Sequence, residues 1–194
     1  MKRTSFLFAL AAFAASPALA HVDPAEHGSL AAGITHPLSG ADHVLAMVGV
    51  GLLAVVCGGR ALWALPAAFV GAMAAGYLVA LAGVSLPMVE PMILASILVI
   101  GALVALAARL PLAGAAGLIG LFGLFHGSAH GSELGDASMV TFALGFLVAT
   151  AALHAAGVGM GLAVQRLATS ERGMAILRLL GLGTAAGGLA LAFG

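Results

Sequence analysis

At 194 residues, the chain is 62% hydrophobic and only 7% charged, with a mean hydropathy of +1.18 and seven Lys and Arg balanced by seven Asp and Glu. Soluble domains carry about 25% charged residues, so this composition excludes an ordinary water-soluble fold and leaves the lipid bilayer as the solvent. Zero net charge with no basic run argues against a nucleic-acid partner, and the single cysteine, Cys57, excludes an internal disulfide.

The first segment reads as an address. Lys2 and Arg3 precede an apolar run at 6–15, and Ala18-Leu19-Ala20 follows as a small-x-small cleavage pattern. This is the layout of a secretory signal peptide over 1–20, leaving 21–194 as the mature chain with His21 at its outer N-terminus. The rival reading is an uncleaved anchor, since the apolar run is short for a span.

Five further arginines, Arg60, Arg109, Arg166, Arg172 and Arg178, divide the remainder into apolar stretches. The expected architecture is all-α, a polytopic bundle of six transmembrane helices near 38–58, 61–83, 88–108, 111–126, 138–164 and 175–193. With the mature N-terminus outside, all five arginines fall on cytoplasmic loops and helix ends, as the positive-inside rule requires of an inner-membrane protein. Asp23, Glu26, Asp42, Glu90, Glu133 and Asp136 fall on the outer side; Glu171 alone lies inside. Twenty-eight glycines point to closely approaching helices rather than to loops. No internal repeat is evident.

Two segments break the apolar background. His36-Pro37-Leu38-Ser39-Gly40-Ala41-Asp42-His43 enters the first span, and His126-Gly127-Ser128-Ala129-His130-Gly131-Ser132-Glu133 leaves the fourth. Imidazole and carboxylate suit nickel, cobalt, zinc and copper(II). Pro37 fits a first helical position. On a straight helix His36 and His43 share a face but stand about 10 Å apart, so one ion reaches both only if His36 folds back. His126 and His130 are one turn apart, although Gly127 and Gly131 weaken the case for a regular helix there. Against these readings stands an inert role, a histidine bonded to a neighbouring helix. Ionisable groups inside a bilayer are costly, and they usually mark a site or pathway.

Glu90 begins the third helix, where either the helix dipole or a metal accounts for a carboxylate. His154 lies within the fifth span, open to an interhelical hydrogen bond or to ligation. His21, as an N-terminus, offers an amine and a ring together. The eight methionines read as packing.

Depth can be gauged from the arginines, whose heads stay near the inner interface. His43 lies 17 residues before Arg60, and His126 lies 17 after Arg109. Both therefore reach about 25 Å from that interface at 1.5 Å per residue, within a core about 30 Å thick. Glu90 falls just above this level and His154 below it. A shared site requires the first and fourth helices to be neighbours. His43 and His126 then supply nitrogens and Asp42 supplies charge, with His36, His130 and Glu133 as an outer vestibule.

The segments HPLSGADH at 36–43 and FHGSAHGSE at 125–133 resemble the signature motifs of the HupE/UreJ proteins. Val89-Glu90, with Ser96 following, is similar to that family's third-helix pattern. The resemblance extends over the mature chain in length, signal peptide and span count. It implies a permease whose transported substrate is Ni2+ or Co2+, serving the maturation of hydrogenase, urease or cobalamin-dependent systems. It carries over His36, Asp42, His43, His126 and Glu133 as metal residues, whereas His130 fills a more variable position and rests on its chemistry.

Two other function classes compete with transport. A membrane enzyme finds little support: Ser128 and His154 occur without the G-x-S-G stretch of a serine protease, and a metal-dependent membrane hydrolase could use the same histidine clusters but H-E-x-x-H is absent. An accessory protein or sensor would bind metal without moving it. No G-x-x-x-x-G-K-[ST] loop is present for ATP hydrolysis. A divalent ion entering down 100 mV gains about 4.6 kcal/mol, enough for roughly thousandfold accumulation.

Overall fold

The computed structural model describes residues 29–133 and 139–193. Residues 1–20, read above as a signal peptide, and His21, Asp23, Glu26 and Asp136 lie outside these residues. Among the described residues there are seven helices and no strand: α1 Leu30–Ser39, α2 Ala41–Cys57, α3 Ala61–Leu81, α4 Val89–Ala105, α5 Leu112–Glu133, α6 Met139–Leu167 and α7 Ser170–Phe193.

Four of these helices, α3, α5, α6 and α7, are long and apolar enough to cross a membrane, and α1 with α2 forms a bent pair that qualifies as a fifth span. The chain is a multi-pass membrane protein. The remaining helix, α4, has 17 residues, about 25 Å at 1.5 Å per residue. All five arginines in the described region are exposed. By chain order they gather at the end of the bundle opposite the histidine motifs.

The last helix starts at Ser170 rather than at 175, and two boundaries beside the histidine motifs also differ from the sequence expectation. The first apolar segment does not start at 38 with Pro37 as its opening residue. Pro37 instead lies inside α1, whose first turn is capped by the Ser29 hydroxyl accepting from the Ala32 amide at 3.0 Å. The chain then turns through 82° between α1 and α2. Gly40 makes that corner, and a Cβ there would press on both Asp42 Oδ1 and His43 Nδ1.

The second difference is that the fourth expected span does not stop at 126 but runs as α5 to Glu133. Gly123, Gly127 and Gly131 are packing surfaces rather than helix breakers. A Cβ on Gly123, Gly127 or Gly131 would strike the backbone carbonyl of Phe69, Met73 or Tyr77 respectively. A glycine every fourth residue on α5 thus meets a carbonyl every fourth residue on α3, and the two helices touch backbone to backbone. In lipid, where burial of apolar surface gives no advantage to helix pairing, such close approach is a main source of association.

The other principal pairings are α4 with α7 and both α1 and α2 with α6. Gly51 on α2 meets the His154–Val158 backbone of α6, and Gly33 on α1 meets the Phe142 carbonyl. The interior they enclose includes Met47, Val50, Leu53, Leu65, Phe69, Met73, Ile100 and Phe146, all essentially inaccessible.

Candidate metal centre

The corner at Gly40 turns two motif positions into one site. On a straight helix the seven residues from His36 to His43 would keep their rings about 10 Å apart. The 82° turn brings the ring centroids to 5.6 Å. His36 thus folds back, as a shared ion requires.

From the far side of the bundle, α5 contributes His130. Its ring lies 4.5 Å from His36 and 4.8 Å from His43, centroid to centroid. One nitrogen from each of His36, His43 and His130 fits within 4.8 Å of the other two. His43 and His130 are buried and His36 is half-buried. The two helices α2 and α5 are not tightly packed against each other by backbone. Their imidazoles span the interval between them.

The orientation of His43 is set by its neighbour. Asp42 Oδ1 lies 2.9 Å from His43 Nδ1 and is placed to accept its proton. With Nδ1 as the donor, Nε2 presents a lone pair toward the interior, where His130 Nε2 lies at 2.6 Å. A carboxylate that fixes the tautomer of a ring is a recurrent device behind metal-binding imidazoles.

His126, one turn before His130, forms a second step. Its ring is 5.4 Å from that of His43 and fully buried. Ser96 on α4 donates its hydroxyl proton to the Ile93 carbonyl at 2.6 Å, so its oxygen is left to accept from His126 Nε2 at 3.1 Å. His126 Nδ1 then carries the lone pair, and it has no hydrogen-bond partner among the described residues.

Aromatic rings wall the site. Phe146 of α6 lies 4.5 Å from His130 and 6.5 Å from both His36 and His43, with Phe142 stacked beside it at 6.0 Å. Phe69 of α3 touches His126 at 5.2 Å. Sequence reasoning missed all three phenylalanines, because a Phe in an apolar helix carries no local mark of its neighbours.

The division into an inner pair and an outer vestibule is redrawn. His36 and His130 join His43 in one group, and His126 stands a step away. Glu90 is exposed in the first turn of α4 and is not part of the three-histidine group. Glu133 is the last residue of α5, three positions beyond His130.

A protein family described as HupE / UreJ protein matches residues 8–191. The chain belongs to the HupE/UreJ family. It is similar to Protein HupE of Rhizobium leguminosarum bv. viciae, at 41% identity over 197 residues that cover 100% of both chains. No solved structure matches it. In this HupE/UreJ protein, the two segments that carried the resemblance are the two that supply the clustered histidines.

Proposed function

We propose that the protein is a secondary permease that carries a divalent transition metal, nickel or cobalt, into the cytoplasm. The observation that carries this reading is the convergence of His36, His43 and His130 within a membrane bundle, with the donor nitrogens inside 4.8 Å. Three imidazoles suit a borderline metal such as nickel or cobalt and suit the hard ions magnesium and calcium poorly. Membership of the HupE/UreJ family points the same way. Asp42, His126, Glu90 and Glu133 complete the proposed metal pathway, the two glutamates as capture charges at the outer end.

In this reading the mature chain of 21–194 crosses the plasma membrane six times, after removal of 1–20. The bent α1–α2 pair and the short α4 count as spans beside the four long helices. The N-terminus and the histidine end face outward, and the arginine end faces the cytoplasm.

The test is uptake of labelled nickel and cobalt by cells carrying the chain or its His43→Ala variant. Accumulation that depends on His43 is expected. Metal binding by the purified protein without uptake would instead make it an accessory protein that holds the ion.

A further inference from the structure

Ser96 is a fully buried hydroxyl on α4, and the proposed metal pathway leaves it without a role. A serine inside a helix often returns its proton to its own backbone. Ser96 does so, donating to the Ile93 carbonyl at 2.6 Å. That bond satisfies the proton and needs nothing further. The oxygen nevertheless lies 3.1 Å from His126 Nε2, on the neighbouring helix α5.

This second bond fixes two properties of the ring. The hydroxyl has one proton and gives it to Ile93, so toward His126 it can only accept. Nε2 must therefore carry the hydrogen, and the lone pair of the neutral imidazole is confined to Nδ1. Turning the ring over would set a carbon where Nε2 stands and forfeit the bond. Ser96 thus selects both the tautomer and the face of the ring. Nδ1 is left buried, with no hydrogen-bond partner among the described residues. Buried polar atoms are rarely left so, and an exception calls for an occupant. The His126 ring lies 5.4 Å from that of His43, at the edge of the three-histidine centre.

The arrangement mirrors the one at His43. There Asp42 holds Nδ1, and Nε2 faces the interior. At His126 the serine holds Nε2, and Nδ1 is the nitrogen with a lone pair to offer. Which imidazole nitrogen takes a metal is set by the hydrogen bond that the other one makes.

We propose that Ser96 is a positioning residue for the ion's second step: it holds His126 so that Nδ1 receives the metal leaving the three-histidine centre. The inference rests on the permease reading. Ser96 itself does not touch the ion. Its task is readiness, because a ring that is flipped, or protonated on Nδ1, has no lone pair to offer when the ion arrives.

The experiment compares the full-length wild type with Ser96→Ala and Ser96→Thr. Nickel and cobalt uptake is measured in proteoliposomes, and nickel affinity by calorimetry. Nitrogen NMR of the ring-labelled, metal-free proteins reports which His126 nitrogen carries the hydrogen. In the wild type that nitrogen should be Nε2. Ser96→Ala should lose this single state and lower the maximal uptake rate about 10–100-fold, the usual effect of removing the group behind a metal-binding imidazole. Nickel affinity at the three-histidine centre should stay as it was. Threonine keeps the hydroxyl, so in Ser96→Thr ring state and rate should return together. A wild-type rate in Ser96→Ala would overturn the proposal. So would a lowered rate with the His126 ring still held as in the wild type, which would mark a packing role. Failure of the wild type itself to take up either metal would instead remove the permease reading, and this second step with it.

Discussion

The Nε2 atoms of His43 and His130 lie 2.6 Å apart although 87 residues separate them in the chain. Two nitrogens at that distance share a proton, because two bare lone pairs cannot face each other so closely, and a bound ion would take that proton's place with the rings slightly further apart. His43→Ala and His130→Ala are therefore expected to be equally damaging, each abolishing high-affinity nickel binding in calorimetric titration while the protein still inserts. Near-normal affinity in His130→Ala would restore the peripheral role that its position in the motif implies.

Asp42 acts through His43 in this arrangement, by accepting from its Nδ1. Asp42→Asn keeps the size and loses the charge. It should weaken metal binding by about 10–100-fold, the usual effect of removing a carboxylate behind an imidazole ligand. Loss of the protein from the membrane fraction would point to a folding role instead.

Neutral imidazole binds metal and protonated imidazole does not. Affinity at the three-histidine centre should accordingly fall as the outer pH is lowered, because protons compete with the metal for the same nitrogens. A flat binding curve between about pH 5 and 7.5 would count against histidine ligation.

Gly127 and Gly114 lie on the same helix in opposite circumstances. A Cβ on Gly127 would collide with the Met73 carbonyl, whereas one on Gly114 has nothing within 4 Å. Gly127→Ala should cost about 1–3 kcal/mol, the range for overpacking a well-filled interface. It should also disturb the centre, because His126 and His130 flank the displaced turn. Gly114→Ala should be neutral or slightly stabilising, since Ala favours a helix over Gly. Thermal unfolding in detergent measures both, and equal effects would show that the α3–α5 approach is not tight.

Orientation is open to chemical labelling. In a Cys57→Ser background, a cysteine introduced between α5 and α6 should react with an impermeant reagent from outside. One introduced at Thr169, between α6 and α7, should not. The reverse pattern would invert the proposed direction of transport.

The membrane class, the all-helical fold and the two histidine segments were legible in the sequence, because each rests on local chemistry. Apolar length needs only hydropathy, and eight-residue motifs such as 36–43 carry their own ligands. What was not legible depends on encounters between distant segments. Nothing local to Gly40 announces an 82° corner, so His36 read as too far from His43. Gly127 and Gly131 read as breakers because the carbonyls of Met73 and Tyr77 that they receive belong to another helix. The four-residue spacing of Gly123, Gly127 and Gly131 was the available sign, and it marked an interface rather than an ending. His130 looked secondary in its motif, yet one turn of α5 past His126 brings it into the group with His36 and His43.

The seat of α1 against α6 sets a timetable for biosynthesis. Gly33 rests on the Phe142 carbonyl, and Gly145 rests on that of Leu30. The ribosome releases α1 more than a hundred residues before the segment that holds it. Until α6 has entered the bilayer, α1 lacks its main packing surface, and His36 lacks the Phe142 and Phe146 rings beside it. A nascent chain halted after α5 would already own His36, His43, His126 and His130, yet it would hold them without their final arrangement. The proposed centre therefore takes its final arrangement only once α6 is in place.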